Sequence, residues 1–383
     1  MGDEVNTMQV VQFDKQTTYF DKDVTAIIKG IALVMMFTHH FFTFPTWWLD
    51  GIKYPFWENV AKYFCAPLRL CVPIFYFLSG YFYFHNKNKS YQYSFRKITD
   101  ILIKYWIVFF IFAIIAVITV HYIYTPISFI QEMFALYMPT MPFCWYVSFY
   151  CLFMLLLPLF AKLPSQNVHF DFFTSIVLFP VITDVIDCIV KKYIGNDIII
   201  ELTSNLFFWF PMVLLGYIFA KYKLFDRMEY NTSKIIHSKK ATIILQIIGA
   251  LCAPMGRYVL PYFSFNVVAV PIIHKSINFS VSMDVVYTPI FIFYVVNLCR
   301  NIKLTYTKLI LKQIGKHSLL MWFVSCIFFN NSKTVFQHIL YWPRNSCLVL
   351  IWGLLICYIV SAILNLGLNI ILRQKNKIFF RQA

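Results

Sequence analysis

The chain has 383 residues, of which 60% are hydrophobic, 20% aromatic and only 13% charged, against about 25% charged residues in soluble domains. An ordinary soluble domain is excluded. The formal net charge of +16 is carried in short loops between apolar runs, where cations set the orientation of a membrane protein, so it is not read as a nucleic-acid-binding surface.

In chain order, a polar segment over 1–23 precedes the first apolar span, which lacks an A-x-A cleavage signal and is read as a retained helix. Runs of about 20 apolar residues, enough to cross a hydrocarbon core of about 30 Å as helix, then occupy most of the sequence. They predict an all-α polytopic integral membrane protein of about ten transmembrane helices. The expected spans are 24–44, 60–84, 101–121, 143–161, 168–190, 198–220, 241–260, 283–299, 317–330 and 346–372. These form one transmembrane domain over 24–372, followed by a basic tail over 373–383.

Parity places both termini on one side. Lys and Arg concentrate there, in KYKLFDRMEYNTSKIIHSKK, RNIKLTYTKLILKQIGK and the tail, so that side is predicted to be cytoplasmic. PYFSFNVVAVPIIHKSINFSVS, with Pro271, His274 and Lys275, is expected to be re-entrant or interfacial. TPISFIQEMFALYMPTMPFCWY has a single acid and is expected to lie as an amphipathic piece at the outer surface. The ten cysteines form no CxxC pair and no ligand-like cluster, so neither a metal site nor a disulfide framework is expected.

The first span reads TAIIKGIALVMMFTHHFFTF from Thr25 to Phe44. Ionisable groups inside a bilayer are costly and mark function by default. Lys29 and His40 are eleven residues apart, which on a helix is about 16 Å of rise and about 20° past three full turns, so both point to one face. His39 points about 100° away and is expected to pack. The second span runs inward as AKYFCAPLRLCVPIFYFLSGYFYF. It sets Arg69 at the depth of His40, and Ser79 and Gly80 at the depth of Lys29. Pro67, Pro73 and Gly80 loosen that helix. Asp184, Asp187 and Asp284 lie near predicted outer helix ends, with Glu201 on the same side, and form a pool of candidate acid partners for His40.

These residues resemble the acyltransferase 3 family of membrane acyltransferases, which modify glycans and other envelope molecules. The resemblance rests on KGIALVMMFTHH, with Lys29 and His40 at the family's basic-to-histidine spacing, and on RLCVPIFYFLSGYF from Arg69 to Phe82. FCWYVSFYCLFMLLLPLF and IGKHSLLMWFVSCIF are weaker echoes. Two positions depart. Lys29 stands where the family more often has arginine, and Ser325 follows Trp322 and Phe323 where a histidine is expected.

The resemblance implies transfer of an acyl group, commonly acetyl from acetyl-CoA, to a sugar hydroxyl. It also implies a multi-pass protein of a cell membrane, the bacterial cytoplasmic membrane by expectation. The partners would be the lipid bilayer, acyl-CoA as donor substrate and a carbohydrate acceptor, with no permanently bound cofactor. The pantetheine arm of CoA is similar in length to the Lys29 to His40 rise, so Lys29, Ser79 and Gly80 are expected at the donor's entry. His40 is then the candidate base that takes the acceptor's proton, and Arg69 the candidate stabiliser of the oxyanion. Direct transfer and an acyl-histidine relay both remain open. The alternative class is a transporter or flippase of a glycan or lipid-linked intermediate. A third reading, an inactive partner subunit, rests on Ser325 alone.

Overall fold

The computed structural model describes residues 19–44, 52, 63–87, 89–138, 140–141, 143–162, 167–270, 275–328 and 335–379. Most of the predicted N-terminal segment, residues 1–18, and the last residues of the basic tail, 380–383, lie outside them. So do residues 271–274, which include Pro271 and His274, and residues 60–62 and 329–330 at the ends of two predicted spans.

Fourteen helices and one hairpin follow one another among the described residues. They are α1 (Lys22–Thr43), α2 (Cys71–His85), α3 (Tyr91–Val120), α4 (Pro126–Met133), α5 (Trp145–Phe160), α6 (Val168–Phe173) and α7 (Phe179–Tyr193). After these come α8 (Asp197–Lys221), α9 (Leu224–Ile235), α10 (Lys239–Val259), α11 (Asp284–Asn301), α12 (Thr305–Phe328), α13 (Val335–Leu340) and α14 (Ser346–Phe379). Seven helical stretches among the described residues are long and apolar enough to cross a membrane, making this a multi-pass membrane protein. The other three predicted spans are also helical. However, α5 has 16 residues, and α11 and α12 do not reach the same apolarity. In α12 the reason is visible in its first half, where TYTKLILKQIGK carries three lysines.

The 261–282 segment, expected to be re-entrant or interfacial, is extended over its described residues. It forms an antiparallel pair, β1 (Tyr262–Val270) and β2 (Lys275–Ser282). The β2 sequence KSINFSVS and the FSFNV stretch of β1 alternate polar and apolar residues, which favours strand over helix. The register sets like against like, Phe265 opposite Phe279 and Asn266 opposite Asn278.

Two tight crossings organise the centre of the bundle. A Cβ on Gly30 would collide with the Leu311 carbonyl, and one on Gly315 with the Ala26 carbonyl, so α1 and α12 pack backbone to backbone. Gly80 and Gly216 do the same for α2 and α8, against Val213 and Phe77. Without aqueous solvent between them, membrane helices gain by this close approach of small residues.

At one end of the bundle Tyr19 and Phe20 pack on Phe225 and Tyr81. There Arg300 donates to the Tyr19 carbonyl (2.6 Å) and Asn297 to its hydroxyl (2.8 Å). The starts of α1 and α3, the end of α2 and α9 thus share that end.

Candidate active site

A cavity of about 400 Å³ enters from the same end. Each wall is one helix face. Lys29 comes from α1, Phe75 and Ser79 from α2, and Lys97, Asp100 and Lys104 from α3. Tyr146, Tyr150 and Met154 come from α5, and Ser318 and Trp322 from α12. The spacings of three or four residues within α3 and α5 are those that put side chains on one helix face. Ser79 donates to the Phe75 carbonyl at 2.8 Å. Gly80 does not line the cavity, because it is turned into the α8 crossing.

The cavity ends on an aromatic floor. Trp322 lies 5.0 Å from Tyr146 and 5.5 Å from Phe75, and Tyr146 stacks on Tyr76 at 5.1 Å. Each predicted catalytic residue connects to this floor through one intervening residue and lies outside the cavity lining. Trp322 donates its indole N–H to the Phe143 carbonyl (3.2 Å), and the Phe143 ring lies 4.8 Å from His40. Tyr76 contacts Trp209 at 5.5 Å, and the Arg69 guanidinium sits 5.8 Å from the centre of that indole. The unbroken helix Lys22–Thr43 keeps the rise of about 16 Å between Lys29, half-buried in the cavity, and His40, half-buried beyond the floor.

Arg69 lies not on regular α-helix but in a 3-10 turn within the Tyr63–His85 stretch. Pro67 lies near the start of a 3-10 turn, Ala66–Leu70, that interrupts the second span, and the turn leaves Arg69 exposed. His39 secures that turn. It is buried, its Nδ1 is 3.1 Å from the Cys65 carbonyl and 3.2 Å from the Thr43 hydroxyl, and it therefore packs, as its direction implied. The Arg69 charge reaches both imidazoles electrostatically.

The candidate acids have other work. Asp284 is buried in a two-point pair with Arg257, Nε to Oδ1 at 2.5 Å and Nη2 to Oδ2 at 3.3 Å. Asp187 pairs with Lys191 and accepts the Thr203 and Ser204 hydroxyls at 2.8 and 3.0 Å, tying α7 to α8. Asp184 is half-buried, one turn before Asp187.

The acid nearest to the site by connection is one the sequence did not single out, Glu132. The segment expected at the outer surface forms α4 and then folds back over its own carboxylate. Glu132 is fully buried and accepts from the Thr140 N–H (2.9 Å), the Thr140 hydroxyl (2.6 Å) and the Met141 N–H (3.0 Å). Tyr105 and Trp106 of α3 hold the Glu132 and Met133 carbonyls at 2.6 and 2.8 Å. Burial raises the Glu132 carboxyl above the usual range. Two residues past Met141 the chain delivers Phe143 to His40. The available signal was a lone acid in an apolar segment, which burial makes expensive unless it is hydrogen-bonded. Lys97, one of the orienting charges between spans, and Lys104, inside the predicted span 101–121, were also not singled out. Their spacing of seven with Asp100 between them was the clue to a polar helix face.

Residues 25–366 match the family described as an acyltransferase domain, the acyltransferase 3 family. The chain belongs to that family. It is therefore a membrane acyltransferase, and the match runs from the first membrane helix into the last. Comparison with curated proteins and with solved structures returns no match.

Proposed function

We propose that the protein moves an acyl group, acetyl by preference, from cytoplasmic acyl-CoA to a hydroxyl of an exported or envelope carbohydrate. The observation that carries this reading is the two-sided aromatic floor, with a cationic cavity on one side and the His40 and Arg69 groups on the other. Phosphates rest among the lysines at the mouth, and the pantetheine arm extends along the cavity wall towards Trp322. The thioester then lies beneath the edge of the floor, within reach of the His40 side once Trp322 yields.

His40 takes the proton from the acceptor hydroxyl as its oxygen attacks the thioester carbonyl, and Arg69 offsets the charge that develops on the carbonyl oxygen. Collapse of the tetrahedral intermediate forms the ester and expels the CoA thiolate, which takes up the proton. The mouth is assigned to the cytoplasm because lysines and arginines crowd that end of the chain's loops.

Family membership favours this reading over a transporter or flippase. The test is a transfer assay with protein in lipid nanodiscs, radiolabelled acetyl-CoA and a panel of envelope carbohydrates. Label recovered as an alkali-labile ester on one of the carbohydrates is the expected result. Label that reaches no hydroxyl acceptor from acetyl-CoA, but does so from an acylated lipid, would overturn the choice of donor.

A further inference from the structure

A further recess, of about 410 Å³, lies between α5, α8 and the join of α6 to α7, and it shares no lining residue with the donor cavity. Buried Leu214 and Ile218 form its back, and exposed Phe170 and Leu178 its lip. The stretches Val168–Tyr193 and Asp197–Lys221 are both long and apolar enough to cross a membrane, so the lip opens onto hydrocarbon. An empty apolar recess forfeits contacts on one side, and lipid chains are what is at hand to fill it. The wall is also built unusually. Thr174–Leu178 joins α6 to α7 as a π-helical turn, the one such turn among the described residues, and turns of this kind recur at functional sites.

The polar groups of the recess are ordered by depth. Asp171 and Lys221 line one end and pair at 2.7 Å, and the Tyr222 hydroxyl donates to the same carboxylate oxygen at 2.8 Å. Lys221 is the last residue of α8, so this end lies at headgroup level, on the side of the donor cavity's mouth. Thr174 is three residues past Asp171, about one turn further in. Its hydroxyl oxygen is buried, without a hydrogen-bond partner, in a residue that lines the recess. A buried hydroxyl left unpaired is costly, and an acceptor on a ligand at this depth would relieve the cost. Leu178 and Leu214 are each seven residues from the charged end, about 10 Å deeper along their helices.

We propose that this recess is a specific site for a zwitterionic aminophospholipid of the phosphatidylethanolamine type, with its phosphate at Lys221, its ammonium at Asp171, an ester carbonyl at the Thr174 hydroxyl and a fatty chain against Leu214 and Ile218. Phosphate, ester and chain follow one another in the lipid as Lys221, Thr174 and Leu214 do with depth in the recess. Charges of both signs at the rim select a headgroup that carries both. An anionic headgroup would meet Asp171 with like charge, and the quaternary ammonium of choline has no N–H to donate to it. The site is independent of the donor and acceptor assigned above.

The test is native mass spectrometry of the delipidated full-length protein in detergent, titrated with phosphatidylethanolamine, phosphatidylcholine and phosphatidylglycerol of identical chains, for wild type, Asp171→Asn and Thr174→Val. Wild type should bind one phosphatidylethanolamine about tenfold more tightly than phosphatidylglycerol, with phosphatidylcholine between them, the advantage of a charge-assisted hydrogen bond. Asp171→Asn should bring the first ratio to about one. Thr174→Val, which leaves the ion pair intact and remains readable even if Asp171→Asn does not fold, should weaken all three lipids about fivefold without changing their order. Binding that does not saturate at one lipid and follows no headgroup order would be annular contact only and would overturn the proposal. A preference that survives Asp171→Asn, or affinities untouched by Thr174→Val, would overturn it as well.

Discussion

The two sides of the aromatic floor treat charge in opposite ways. In the cavity, Lys29, Lys97 and Lys104 are half-buried and among the described residues form no ion pair. Beyond the floor, several buried groups have partners: Asp284 with Arg257, His39 with the Cys65 carbonyl, and Glu132 Oε1 with Thr140 and Met141. Burying a charge or polar group without a partner is costly. The unmatched side is thus the side that awaits an anionic ligand, and the matched side is a scaffold already braced before any ligand arrives. Such bracing is what keeps catalytic groups in place during a reaction.

Substitutions that act on only one side break or sharpen this contrast. The largest effect is expected from Arg69→Gln, which removes the positive group facing the developing oxyanion and should lower the transfer rate about 100-fold. Donor affinity should be unchanged, measured by equilibrium binding of CoA, because Arg69 lies outside the cavity. A parallel fall in affinity would place Arg69 on the donor side.

A smaller effect is expected from Trp322→Phe, which keeps a ring in the floor but deletes the N–H held by the Phe143 carbonyl. Losing one hydrogen bond of this kind is worth about 1 kcal/mol, so transfer should slow by about fivefold. Single-turnover kinetics separate that loss from donor binding. No change in rate would mean that the floor and His40 are not connected through Trp322 and Phe143.

The smallest effect concerns Glu132 and depends on pH. Burial raises its carboxyl above the ordinary value, so the folded state holds the proton more tightly than the unfolded one. The stability this contributes is present below the ordinary carboxylate range and is lost as pH rises through the raised value. Glu132→Gln keeps an acceptor oxygen for Thr140 and Met141 without a titrating group. Thermal unfolding should therefore show the variant gaining a few degrees on wild type as pH is raised from acid to neutral. A difference that stays constant with pH would show that Glu132 does not titrate in this range.

How much of this was legible in the sequence varies by element. The first helix was fully readable, because Lys29 and His40 depend only on local helix geometry and nothing interrupts Lys22–Thr43. The second span was readable in its composition but not in its course. Pro67 signalled a disturbance, yet only the structure shows the 3-10 turn that turns Arg69 outward onto Trp209. The strand pairing of the 261–282 segment was not read from the sequence, because its apolar content overshadowed the alternation in KSINFSVS. Ser79 lines the cavity, whereas Gly80 serves the α8 crossing, where it meets a helix more than 130 residues further along the chain. Lys97, Lys104 and Glu132 left a local trace in spacing or in isolation, but their partners, like those of Trp322, come from residues distant in sequence.

The central claim is that one helix carries donor binding at Lys29 and chemistry at His40, on opposite sides of a shared floor. The direct measurement is a pair of constants, CoA affinity and single-turnover transfer rate at saturating donor, for Lys29→Glu and His40→Ala in nanodiscs. Lys29→Glu should weaken CoA by about tenfold or more through charge reversal at low salt and leave the saturated rate near wild type. His40→Ala should keep CoA affinity and lower the rate by at least about 100-fold, the loss expected of a general base. Two variants that change both constants together, or a His40→Ala protein that transfers at the wild-type rate, would contradict the account.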